Sequence, residues 1–134
     1  MHLLLFVLLV FSTSAWSADA GEFGSLYLVL LKAGDSADKI DDVGLAELQK
    51  QHLAHLTKLT EAGNILVAGP FDEQDDDTLR GLCLYRAADK EEVRKLAEAD
   101  PAVKAGRIQV EVQRWWFHTD RIVFPKDPGV VKTE

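Results

Sequence analysis

Six apolar residues in a row, Leu26-Tyr27-Leu28-Val29-Leu30-Leu31, constrain this chain more than any other feature. The run is far too short to cross a bilayer as a helix, which takes about 20 apolar residues. Side chains alternate between the two faces of a strand, so an unbroken apolar run needs cover on both. The segment Ser25 to Lys32 therefore reads as a strand inside a layered structure, and Ile65-Leu66-Val67-Ala68 repeats the pattern in a shorter form.

The segments between and beyond these strands give the order of the fold. Ala33 to Val43 is polar, with Gly34, Asp35 and Ser36 as turn residues. Gly44 to Ala62 carries an apolar stripe at helical spacing, and Gly63-Asn64 is a C-terminal stop. Gly69-Pro70 ends the second strand, and Asp72 to Asp77 is an acidic loop. Gly81 to Tyr85 is a third strand. Asp89 is an N-cap for a helix through Ala99, with Glu92 placed to complete a capping box; Asp100-Pro101 follows its end. Arg107 to Phe117 alternates as a fourth strand, with Ile108, Val110 and Val112 on one face and Gln109, Glu111 and Gln113 on the other.

The order β-α-β-β-α-β is the split βαβ, or ferredoxin-like, pattern of an α+β domain. Both helices then lie on one sheet face. The opposite face of the first three strands is apolar as well, which is costly to leave in water. A homodimer that covers this open face is expected, with Trp115, Trp116 and Phe117 near its seam.

The N-terminus stands apart from this domain. Leu3 to Phe11 is apolar, and small residues follow it. These are the marks of a secretory signal peptide over residues 1–20, cleaved after Ser17 or Ala20. Residues 21–118 then form the domain, and 119–134, with Pro125, Pro128 and Gly129, an extended tail. The expected location is periplasmic or secreted, with no membrane attachment after cleavage. A net charge of −7 without a basic stripe argues against nucleic acid and anionic membrane surfaces. Cys83 is the only cysteine, so no intramolecular disulfide can form. Its place in an apolar strand marks it as a small buried hydrophobe rather than a nucleophile.

One residue breaks the helical stripe Leu45, Leu48, His52, Leu56, Leu59. A buried imidazole without a partner costs roughly 1–3 kcal/mol, so the fold must supply a hydrogen bond to His52. The right-handed crossover brings the N-terminal half of this helix to the sheet end that carries Gly69, Pro70 and Phe71. The second helix finishes at the same end, which makes Asp100 the nearest candidate carboxylate and Asp72 the runner-up. Gly69 allows close backbone approach and Pro70 fixes it. The expected pocket is lined by His52, Asp100, Gly69, Pro70 and Phe71, with Asp72 at its edge.

The same segments carry a family resemblance. Gln51-His52-Leu53-Ala54-His55-Leu56, Ala68-Gly69-Pro70-Phe71 and Ala97-Glu98-Ala99-Asp100-Pro101-Ala102-Val103, in this order and spacing, resemble the YCII-related (YciI-like) family from about Leu26 to Trp116. The resemblance implies a ferredoxin-like dimeric α+β barrel, similar in fold to muconolactone isomerases. It implies a His–Asp dyad, with His52 matching the family histidine and Asp100 the aspartate. It also implies chemistry of the dehydrochlorinase kind for some members, while most have no assigned reaction. The signal peptide, the acidic 72–77 loop and the tail depart from the usual family pattern.

An imidazole held by a carboxylate suits proton transfer, because burial disfavours its charged form and the carboxylate favours it. The expected activity is a cofactor-independent isomerisation or elimination on a small molecule. The competing class is a non-catalytic ligand-binding or interaction module, in which the histidine only fixes helix packing. His52 and His55 have i, i+3 spacing, but no third ligand has diagnostic spacing, so no metal site is expected. The acidic loop lacks the glycine and terminal glutamate of a calcium-binding EF-hand and reads as a solvated turn. His118 reads as a surface residue, and Trp115-Trp116 as core or interface, since no basic groove accompanies them.

Overall fold

A computed structural model describes residues 23–72 and 78–124. The segment expected to be a signal peptide (residues 1–20), the acidic loop beyond Asp72 and the expected tail from residue 125 onward lie outside the described residues.

The elements follow one another as β1 (Phe23–Ala33), α1 (Asp42–Glu61), β2 (Ile65–Pro70), β3 (Leu79–Tyr85), α2 (Lys90–Glu98), α3 (Pro101–Lys104) and β4 (Ile108–His118). The strands form one sheet in the order β2-β3-β1-β4, and every neighbouring pair is antiparallel. This is the ferredoxin-like arrangement. Among the described residues no helix is long and apolar enough to cross a membrane.

Capping explains where the helices start. The Asp41 side chain accepts the Gly44 N–H at 2.8 Å and opens α1. The chain leaves α1 through Gly63, whose φ of 78° favours glycine. Asp89 accepts the Glu92 N–H at 2.8 Å and opens α2. The Glu92 carboxylate reaches back to the Ala88 N–H, one residue before the cap, where a standard capping box would reach the cap residue itself.

Two boundaries differ from expectation. Gly69 and Pro70 do not end the second strand; they belong to β2 and pair with Leu82 and Gly81. Because β2 lies at the sheet edge, a proline there breaks no shared ladder. Asp100-Pro101 does more than close α2: Asp100 caps α3, and Pro101 opens it. Proline suits a first helical position, where its missing N–H has no intrahelical partner.

The core lies between the sheet and the helices. Tyr27, Val29, Ile65, Cys83, Tyr85 and Val112 from the strands pack with Leu59 of α1 and with Val93 and Ala97 of α2. Residues paired across strands share a face. Leu28 therefore shares the opposite face with Leu84, and Leu30 with Leu82. Leu28, Leu30 and Leu82 are half-buried there, while Val67 is exposed. β4 borders this face with Glu111 and Gln113, and Glu111 holds Lys32 at 2.7 Å. Trp115 and Phe117 lie on the same side with ring centroids 5.4 Å apart, whereas alternation turns Trp116 to the other face. His118 is exposed and stacks on Phe23 at 4.1 Å.

Candidate active site

The stripe of α1 is not packed evenly. Leu59 and His52 are buried, but Leu45, Leu48 and Leu56 are only half-covered. The upper half of α1 stands away from the sheet and leaves a cavity of about 680 Å³. Its apolar walls include Leu31, Leu45, Leu53, Leu56 and Ile108. That volume suits a small organic ligand.

His52 lies on the wall of this cavity, and Asp100 stands behind it. The Nδ1 atom lies 2.6 Å from Asp100 Oδ2, with both side chains buried. A carboxylate only accepts hydrogen bonds, so Nδ1 carries the proton and donates it. The other carboxylate oxygen, Oδ1, accepts the Ala102 N–H at 2.8 Å as the cap of α3. Both oxygens of Asp100 are thus engaged, which fixes the plane of the carboxylate and the tilt of the imidazole. His52 Nε2 makes no hydrogen bond among the described residues. Among the described residues no buried side-chain nitrogen or oxygen lacks a partner, so Nε2 keeps contact with solvent from the cavity wall.

The neighbouring histidine is used differently. His55 Nε2–H donates to the Leu96 carbonyl at 3.0 Å and ties α1 to the C-terminal turn of α2. His52 and His55 therefore turn to separate partners. Among the described residues no group of three or more His, Cys, Asp or Glu side chains could hold a metal ion.

The other expected site residues divide. Gly69, Pro70 and Phe71 line the cavity with His52. Asp72 is exposed and does not line it. The close approach assigned to Gly69 belongs to Gly81. A Cβ at Gly69 would meet open space, whereas one at Gly81 would sit 2.6 Å from the Gly69 carbonyl oxygen. Among the lining residues not anticipated as site residues, four carry charged or amide side chains: Asp38, Gln49, Arg80 and Arg107. The topological reasoning that placed Asp100 would have placed both arginines, since each lies at the start of a strand that begins at this end of the sheet. Cys83 also borders the cavity, with its thiol pushed up to about 12 by burial and, secondarily, by the Asp100 charge. It stays a thiol at neutral pH, in line with a packing role.

The chain is an α+β domain of the ferredoxin-like class, with a largely apolar cavity and a buried His–Asp pair at one end of its sheet. More particularly, this chain belongs to the YCII-related domain family, whose model matches residues 25–116. A solved structure similar to it is the 5-chloro-2-hydroxyhydroquinone dehydrochlorinase of Burkholderia phenoliruptrix AC1100, determined with 2,5-dihydroxybenzoquinone. The two are 28% identical with a TM-score of 0.50, over 67% of this chain and 92% of that one. No curated protein matches the sequence.

Proposed function

We propose that this domain is a small-molecule-transforming enzyme in which His52 Nε2 is the general base and Asp100 orients and supports it. The observation that carries the reading is the 2.6 Å contact at Nδ1, which leaves the second ring nitrogen directed to the cavity. Nε2 takes a proton from a substrate O–H or C–H, and Asp100 stabilises the resulting imidazolium. The electron pair freed by that step moves into the substrate's π system. Return of the proton at another carbon completes an isomerisation. Where the carbon that takes the proton bears chlorine, it becomes tetrahedral, and loss of a second O–H proton then expels chloride with the C–Cl electron pair, so that HCl leaves overall. The similarity to a dehydrochlorinase favours elimination from a ring of that size.

The same reading has the domain exported and dimeric. Export rests on the apolar Leu3–Phe11 segment and the small residues after it. Dimerisation rests on the sheet face that carries Leu28, Leu30, Leu82 and exposed Val67.

The test is chloride release from chlorinated hydroxyhydroquinones by the purified protein. Turnover should fall about 10²–10⁴-fold in His52→Gln. Release at the wild-type rate in that variant would remove His52 from the chemistry, and no release by the wild type would remove the elimination.

A further inference from the structure

We propose that the cavity takes an organic anion, and that Arg107 binds its oxyanion at the rim while the apolar body lies against α1. The inference rests on the reading above only for the location of the site.

Charge is the first support. The chain carries 22 acidic and 15 basic residues, yet Arg107 is among the residues that line this cavity, together with one carboxylate residue, Asp38. Asp38 forms no ion pair with Arg107, and the Arg107 guanidinium makes neither an ion pair nor a hydrogen bond among the described residues. An arginine on a half-enclosed wall offers a planar fork of N–H donors that matches a carboxylate or an ionised enol.

Anchoring is the second. The Arg107 carbonyl accepts the Gly34 N–H at 2.7 Å, and its own N–H donates to the Ala102 carbonyl at 3.0 Å. The preceding residue, Gly106, has φ of 71° and accepts the Ser36 N–H at 2.9 Å. The backbone crossing is so close that a Cβ at Gly34 would lie 2.2 Å from the Gly106 oxygen. Arg107 thus leaves a backbone held on two sides.

The third support is the link to His52. Ala102 gives its N–H to Asp100 Oδ1 and its carbonyl to the Arg107 N–H. One residue of α3 therefore sets the base and the anion-binding arginine relative to each other. An anion held by Arg107 would be presented to Nε2 from a fixed direction, which is what a proton transfer needs.

The experiment compares benzoate with its neutral isostere benzamide by ¹H–¹⁵N NMR titration of the full domain. Benzoate should bind about tenfold more tightly and move the Arg107 Nε–Hε resonance. Arg107→Gln should reduce that preference at least fivefold, and His52→Gln should keep it. Arg107→Lys, which keeps the charge without the fork, should fall between and serves if the glutamine variant fails to fold. Equal binding of the two probes, no benzoate saturation in the millimolar range, or a preference that survives Arg107 replacement would overturn the proposal. The dyad is read separately in the same spectra from the His52 ring nitrogens. Failure there leaves the anion preference standing, and loss of the preference leaves the dyad standing.

Discussion

His52 and Asp100 lie 48 positions apart in sequence and meet at 2.6 Å, each buried. The pair joins α1 to the junction of α2 and α3, because Asp100 also caps α3 through the Ala102 N–H. A single carboxylate thus serves packing and ring orientation at once. Replacing it should separate into two effects, one on the histidine and one on the helix start.

The effect on the histidine is a change of tautomer. With Asp100 accepting from Nδ1–H, neutral His52 should show a protonated Nδ1 and an unprotonated Nε2 in its ¹⁵N shifts. Asp100→Asn replaces one acceptor oxygen by a donor amide, so the tautomer balance should shift toward Nε2–H, and turnover should fall with it. An unchanged ring spectrum in Asp100→Asn would mean that the contact does not set the tautomer.

The effect on the helix start appears in stability. Asp100→Ala removes the cap of α3, a change of about 1 kcal/mol. It also leaves the buried His52 Nδ1–H without an acceptor, at about 1–3 kcal/mol. Urea denaturation should show a combined loss of about 2–4 kcal/mol, with Asp100→Asn losing less because it keeps an oxygen for the Ala102 N–H. Equal losses in the two variants would contradict the division.

Much of this corner was legible in the sequence, for a definite reason. Apolar periodicity gave the element order, and the handedness of the crossover then decided which ends share an edge of the sheet. That brought His52 near Gly69, Pro70 and Asp100. Features that depend on relations between segments were not legible. Whether Gly69 or Gly81 is the crowded glycine depends on the register of β2 against β3, which neither segment contains. Asp-Pro reads equally as the end of one helix and the cap of the next, so the short α3 was hidden. Arg80 and Arg107 look like solvated charges at strand starts until α1 is seen standing off the sheet.

High pH should weaken the fold through the buried acids on the floor of the core. Burial, aided by Asp100, moves the Cys83 thiol from 9.0 up to about 12. Burial also pushes up the Tyr85 phenol, with Cys83 and Asp100 adding to the effect. A group whose value is higher in the folded state holds its proton there after the unfolded chain has released it. For Cys83 its stabilising contribution is therefore complete below pH 9 and lost as the pH rises toward 12. The urea midpoint should fall across that window, less steeply in Cys83→Ala. A flat profile would show that the thiol is accessible to solvent.

The glycines should respond in opposite ways. Gly69→Ala places its Cβ in open space and should be neutral or stabilising by about 0.4–1 kcal/mol through the unfolded chain. Gly81→Ala drives its Cβ toward the Gly69 carbonyl, and Gly34→Ala toward the Gly106 carbonyl, both of them backbone atoms that cannot swing aside. Each should cost about 1–3 kcal/mol. Thermal unfolding of the three variants checks the order, and Gly69→Ala proving the worst of them would contradict it.

The open sheet face gives the last expectation. Leu28, Leu30 and Leu82 lie together on the side away from the helices, with exposed Val67 on the neighbouring edge strand. Burying such a face against a second copy removes apolar surface from water at about 25 cal/mol per Å². The polar border of β4, with Glu111 and Gln113 beside these leucines, would set the register of the two sheets. Sedimentation equilibrium should find a dimer at micromolar concentration. Leu30→Lys, which places a charge at the middle of the face, should give a folded monomer. The cavity lies on the helix side of the sheet, so the lining residues His52 and Arg107 should remain in place in that monomer. A wild-type chain that sediments as a monomer would mean that this face is covered by some other means.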